Sequence, residues 1–308
     1  MSIPPLKIGT RGSPLALAQT NETRARLGVA HGVAPEHFPI VVIRTSGDLI
    51  QDRALAESGG KGLFTRELDL ALIAGEIDFA VHSSKDLPTE LPQEIVIAGY
   101  LPREDAHDAF IGRSGARLCE LPEGAVIGTA SLRRAAQVKR FRADLKTVLL
   151  RGNVETRLAK VESGAVDGAL LALAGLRRLG FETRATEILP FETFLPAAGQ
   201  GAIGIACRAG DQTTRAALAP ILHAATFAAL TAERAFLKAL DGSCRTPIAG
   251  LAVVEGDALS FRGEALQADG GRTFAASGRG PVAEAASLGA GAARDILRRL
   301  PGGVASLS

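Results

Sequence analysis

Two α/β blocks of alternating strands and helices, followed by a smaller α+β unit, form the architecture this sequence predicts. Three observations carry it. Short apolar runs alternate with stretches of helical periodicity over the first two thirds of the chain. The same succession occurs once before about residue 101 and again from about residue 107. From about Ala224 the order changes to a long helix, three strands and a final helix.

The first strand is LKIGT (6–10), and PLALAQTNETRARL (14–27) follows as a helix with Ser13 as its cap and Pro14 at its first position. FPIVVIRT (38–45) is rich in β-branched residues and reads as a strand. From Ser46 to Phe64 the chain is polar and glycine-rich without a period, which predicts a mobile loop that could act as a lid. Helix FTRELDLALIAG (64–75) and strand DFAVHS (78–83) complete the first block, and LPREDAHD (101–108) joins it to the second. There the alternation runs AVIGT, SLRRAAQVKRF, TVLL, NVETRLAKV and GALLAL. A further buried strand in GQGAIGIACR (199–208) is predicted to return to the first sheet, making that domain discontinuous. The expected domains are therefore 1–101 with 202–219, 107–195, and 224–308. In the last, ATFAALTAERAFLKAL is the long helix, and strands lie near IAGLAVVE, ALSFRGEAL and RTFAASG.

The 308 residues are 46% hydrophobic and 22% charged, a globular composition. The start, MSIPPLKIGT, lacks the basic and apolar regions of a secretory signal, and no apolar run spans a bilayer, so a cytoplasmic address without membrane contact is expected. Cys119, Cys207 and Cys244 form no CxxC pair, so neither a disulfide framework nor a metal site is predicted. With no Trp and one Tyr, a base-stacking platform is not expected.

Between Gly128 and Arg157 stand eight Lys and Arg against two acids, a local +6 in a chain of net +2. Arg133 and Arg134 follow Ser131 at a helix start, while Arg151 and Gly152 lie where TVLL turns into the next helix. Two helix N-termini would then face one anion, with arginine forks matched to carboxylate or phosphate. Lys139, Arg140, Arg142 and Lys146 are assigned instead to a solvated helix face.

HSSKDLP (82–88) puts Lys85 and Asp86 at the carboxyl end of a strand, where open α/β sheets bind ligands. Asp86, near several cations, should stay ionised and could stabilise a developing positive charge. A cap on the next turn is the competing reading, and His82 is expected to be packed. Arg11 and Ser13, before Pro14, repeat the anion-binding arrangement. Cys244, in the tight loop LDGSCRTPIAG beside Arg245, could be a reactive thiolate or an inert thiol, and both readings stay open. Cys207 reads as a buried small hydrophobe. Together these residues describe a polycarboxylate or phosphate cleft between two blocks, with a candidate thiol on a third domain. A non-catalytic two-lobed anion binder would account for the arginines but does not need Cys244.

The segments TRGSPLALAQ, GGKGLFTRELD, DFAVHSSKDLP, GTASLRRAAQ, LRGNVETRL, LALAGLRRLG, PAAGQGAIGIACR and DGSCRTPIAG, in this order, resemble the porphobilinogen deaminase (hydroxymethylbilane synthase) family over residues 10–250. Ser243 departs from the second glycine common before the family's cysteine. The resemblance implies two domains like type II periplasmic binding proteins and a third carrying a dipyrromethane cofactor on Cys244 through a thioether. It implies deaminative condensation of four porphobilinogens onto that primer and hydrolytic release of a linear tetrapyrrole, with Asp86 as the catalytic carboxylate. Cofactor contacts would be Lys85, Thr129, Ser131, Arg133, Arg134, Arg151, Gly152, Gln200 and Gly201. Substrate contacts would be Arg11, Ser13, Lys61, Phe64, Arg157 and Arg178. A monomer that binds porphobilinogen, not nucleic acid, and can hand its product to the next pathway enzyme, completes the implied picture.

Overall fold

The computed structural model describes residues 3–49, 62, 64–242, 246–300 and 302–307; Lys61, Ser243, Cys244 and Arg245 lie outside the described residues, as does most of the predicted lid loop. The chain forms two compact units: Met1–Glu104 with Ala202–Phe227, and Asp105–Gly201 with Ala228–Ser308.

The first unit begins with β1 (Ile8–Thr10), α1 (Pro14–His31), β2 (Ile40–Val42), α2 (Ser46–Leu49), α3 (Arg66–Ile73), β3 (Phe79–Ser83) and β4 (Ile95–Tyr100). The second contains β5 (Asp108–Gly112), β6 (Val126–Gly128), α4 (Leu132–Phe141), β7 (Lys146–Val148), α5 (Val154–Glu162), β8 (Gly168–Ala172), α6 (Leu173–Arg178) and β9 (Glu187–Leu189). The chain then returns to the first unit for β10 (Ile203–Arg208) and α7 (Gln212–Leu218). Helix α8 (Ala224–Ala239), strands β11 (Ile248–Glu255), β12 (Ala258–Leu266) and β13 (Thr273–Pro281), and helix α9 (Ala285–Leu297) finish it.

The first sheet has the order β2-β1-β3-β10-β4 and the second β7-β6-β8-β5-β9. In each, four strands run the same way and one runs against them, β10 between β3 and β4 in the first sheet and β5 between β8 and β9 in the second. Alternation alone had predicted parallel layers. The difference arises because β10 enters the first sheet from a distant point of the chain, pairing Ile203 with Ser83. Strand β5 starts on the last residue of the acidic stretch read as a connector: Asp108 is its first residue and is fully buried.

Both faces of each sheet are covered. Leu27 of α1 and Leu218 of α7 pack on one side of the first sheet, and Leu68 and Leu72 of α3 on the other. Leu158 of α5 and Val138 of α4 lie in the two cores flanking the second sheet. Such double coverage explains why these strands read as unbroken apolar runs. In the C-terminal part, Phe236 of α8 packs on Phe261 of β12, with ring centroids 5.0 Å apart. Gly289 lets α9 approach α8 closely, since a Cβ there would lie 2.0 Å from the Ala232 carbonyl oxygen. Glu233 of α8 joins this part to the α/β block of its unit, accepting from Gly199 N at 2.7 Å and Ala252 N at 2.8 Å.

Candidate functional site

In the first unit, β1 and β3 are parallel neighbours, so their carboxyl ends deliver side chains to the same place. After β1 come Arg11 and Ser13; after β3 comes a single 3-10 turn, Ser84–Asp86. Ser13 caps α1, its Oγ accepting from Ala16 N at 3.3 Å. The Arg11 guanidinium lies 4.1 Å from the centre of the Phe64 ring and 3.8 Å from Asp86 Oδ2. Arg11, Ser13, Phe64 and Asp86 line one recess with residues the sequence reading did not assign to it, Gln19 and His82 among them. Gln19 Oε1 accepts from Ser83 Oγ at 3.0 Å. Lys85 stands in the same turn as Asp86 but is not among the lining residues.

His82 is buried, as expected. Burial, with the Arg11 charge added, pushes its imidazole down to about 4, so the ring is neutral near pH 7. Its Nε2 has no partner among the described residues.

In the second unit the parallel pair β6 and β7 does the corresponding work. Thr129 follows β6; its Oγ1 accepts from Ser131 N at 3.1 Å, and Ser131 Oγ caps α4 by accepting from Arg134 N at 3.4 Å. After β7, Asn153 caps α5 through Thr156 N at 2.8 Å. Gly152 adopts φ 115°, a region that favours glycine, and a Cβ there would meet Thr156 at 2.8 Å. Arg157 Nε donates to Gly152 O at 2.9 Å, and Lys160 Nζ to Arg151 O at 3.2 Å. Arg178 Nη1 donates to Gly201 O at 3.1 Å.

Arg133 and Arg134 are buried and converge on Asp108. Arg133 Nη1 donates to Asp108 Oδ2 at 2.7 Å, and also to Gln137 Oε1 and Leu195 O, both at 2.8 Å. Arg134 donates to Asp108 Oδ1 from Nη2 at 2.6 Å and from Nε at 3.0 Å. Gln200 Nε2 adds a further bond to the same oxygen at 2.8 Å. Burial alone would raise the Asp108 pKa, but the two guanidinium charges and their hydrogen bonds prevail and hold it well below the usual carboxylate range. Arg133 Nε is buried with no partner among the described residues. Sequence reasoning missed Asp108 because a single acid among LPREDAHD carries no local mark of burial.

The neighbouring basic residues correct another expectation. Lys139 Nζ donates to Leu145 O at 2.5 Å, and Arg140 pairs with Glu264 at 2.8 Å and bonds to Thr193 O. Arg142 binds Asp144 at 2.6 Å and the carbonyls of Cys119 and Leu121 at 2.9 and 3.1 Å. The side chains of these three are fastened to backbone carbonyls and to acids rather than forming a solvated face. Lys146 is exposed on the edge strand.

The two units thus present different chemistry: one an aspartate beside an arginine in an open recess, the other hydroxyls and guanidiniums at two helix starts. The second set suits an anion with several carboxylates.

Residues 6–216 match the family model described as porphobilinogen deaminase, dipyromethane cofactor binding domain, and residues 227–298 match porphobilinogen deaminase, C-terminal domain. A porphobilinogen deaminase of Nitrobacter hamburgensis is 56% identical over 292 residues, covering 95% of this chain and 92% of that one. Among solved structures, the periplasmic VFT2 domain of BvgS from Bordetella pertussis has a TM-score of 0.41 at 15% identity, over 71% of this chain and 86% of that one. A periplasmic binding protein from Brucella ovis with glutathione bound has a TM-score of 0.42 at 16% identity, over 77% and 69%.

Proposed function

The chain belongs to the porphobilinogen deaminase family, and from that membership we propose which of its residues perform the reaction. It is a transferase of tetrapyrrole synthesis that uses a dipyrromethane cofactor. Once bound, that group supplies the pyrrole end to which porphobilinogen units are joined.

The donor set fits such a group. Every pyrrole carries an acetate and a propionate, and Thr129, Ser131, Arg133, Arg134 and Arg151 gather hydroxyls and guanidiniums at the starts of α4 and α5. The buried Nε of Arg133, without a partner among the described residues, is a donor that an approaching anion could use. We assign Lys85, Gly152, Gln200 and Gly201 to the same cofactor-holding set, and Cys244 to covalent attachment.

The recess holding Asp86 is the single observation that carries the catalytic assignment. Losing ammonia from porphobilinogen leaves an electron-poor ring, and bond formation puts positive charge on ring N–H groups. Asp86 lies only 3.8 Å from Arg11, beyond hydrogen-bond length, so its oxygens can accept from those N–H groups and stabilise the charge. Arg11, Ser13, Lys61, Phe64, Arg157 and Arg178 would hold substrate carboxylates and the ring. The same reading makes the protein a cytoplasmic monomer of three domains that condenses four porphobilinogens and hands the linear product onward.

Intact-protein mass spectrometry tests it. The purified chain should carry the mass of one dipyrrole, and Cys244→Ser should remove it while Cys119 and Cys207 stay unmodified. A chain that neither carries nor acquires a dipyrrole from porphobilinogen would overturn the reading.

A further inference from the structure

Two consecutive arginines on a helix point about 100° apart, so one carboxylate reaching both must sit off the helix in a fixed place. Asp108 does this from the first position of β5, with Oδ2 2.7 Å from Arg133 Nη1 and Oδ1 2.6 Å from Arg134 Nη2. Gln137 and Gln200 lock the outer edges: Gln137 accepts from Arg133 and donates to Leu195 O at 2.9 Å, while Gln200 donates to Ala106 O at 2.8 Å. The side chains of Arg133, Arg134 and Asp108 are 4%, 6% and 0% exposed, so water screens this assembly little. Two guanidiniums against one carboxylate leave one positive charge, held in the first turn of a helix whose own dipole adds to it.

We propose that Asp108 is a positioning residue: by clamping Arg133 and Arg134 it fixes one net positive charge in the first turn of α4, a preorganised seat for a pyrrole carboxylate. Removing the acid would double the buried charge and let the two guanidiniums repel each other. An arriving carboxylate would then have to order the site itself. The proposal rests on the reading of these arginines as carboxylate-binding groups given above.

A seat for a non-reacting cofactor carboxylate acts when the dipyrrole is taken up, so its loss slows loading and leaves the turnover of loaded chains nearly unchanged. Asp108→Asn in the full chain, compared with wild type at a temperature where circular dichroism shows both folded, should acquire the dipyrrole from porphobilinogen about 10²-fold more slowly. Intact mass should show a lower fraction of dipyrrole-bearing chains. A folded variant with unchanged loading overturns the proposal, because a purely structural role lowers only the folded fraction. If Asp108→Asn does not fold, Gln137→Leu releases Arg133 without changing charge; slower loading supports the clamp and an unchanged rate overturns it. The wild-type mass, read in the same experiment, separates failure of this proposal from failure of the functional assignment.

Discussion

Two aspartate–arginine pairs built from the same groups behave as opposites. Asp86 and Arg11 are 32% and 20% exposed and stand 3.8 Å apart, too far to hydrogen-bond. Asp108 is fully buried and accepts from both Arg133 and Arg134, the shortest bond being 2.6 Å. A buried carboxylate held by three guanidinium N–H bonds and one amide bond resists taking up a proton or serving a new charge, whereas one held loosely beside a cation can do both. The contrast separates an acid available for chemistry from one that shapes other residues.

The sharpest way to break this contrast is to neutralise each acid without changing its size. Asp86→Asn should lower kcat by about 10²–10⁴-fold while moving stability by no more than about 0.5 kcal/mol, as expected of a partly exposed side chain. Asp108→Asn should cost about 3–5 kcal/mol of stability by leaving two buried guanidiniums uncompensated. Steady-state kinetics and urea melts on both variants check this. Equal destabilisation of the two would erase the distinction.

How much of this could be read from the sequence follows the same line. Arg11, Ser13 and Asp86 were legible because each sits where a strand ends and a helix or turn begins, and that punctuation is local. Helices α1, α4 and α5 were legible for the same reason, each having a side-chain cap at its start. Asp108 and Gln137 were not, and neither was the bond from Gln200 to Asp108. Their meaning depends on residues as far as 94 positions away brought into one buried cluster, and no period or spacing records that. β10 was recognisable as an apolar strand, but its antiparallel direction is fixed by where the chain crosses back, which composition does not encode. Arg140 looked like any charge on a helix surface because its partner, Glu264, lies 124 residues away.

A smaller effect should appear in the pH dependence of the first unit, where two buried groups shift in opposite senses. His82 is pushed down from 6.5 to about 4 by burial and by Arg11. Its contribution to stability is complete above about 6.5 and is lost as pH falls towards 4. Asp69 is raised from 3.8 to about 6, chiefly by burial, with Glu67 adding to the rise against a Thr65 hydrogen bond. Its contribution is complete below 3.8 and is lost as pH rises through 6. Between pH 4 and 6 the two slopes oppose each other. Asp69→Asn should unmask the histidine, so that the variant loses about 2–3 kcal/mol more than wild type on acidification across that window. Thermal melts at pH 4, 5 and 6 measure it, and parallel curves for the two proteins would refute the pairing.

The smallest effect concerns the serines that open α1 and α4. Each accepts one backbone N–H over a long distance, 3.3 Å for Ser13 and 3.4 Å for Ser131, so each cap is expected at the weaker end of its kind. Ser13→Ala should cost about 1 kcal/mol. Ser131→Ala should cost about 0.5 kcal/mol, because the group it caps, Arg134, is also fastened through its side chain to Asp108 and to Leu170 O at 3.0 Å. With that clamp removed, the start of α4 depends more heavily on the cap. In the Asp108→Asn background, therefore, Ser131→Ala should cost more than in wild type, a coupling that a double-mutant cycle from urea melts reads directly. Ser13→Ala should add independently in the same background, since none of its hydrogen bonds involves the clamp; equal coupling for both serines would mean that Asp108 acts on global stability rather than on the first turn of α4.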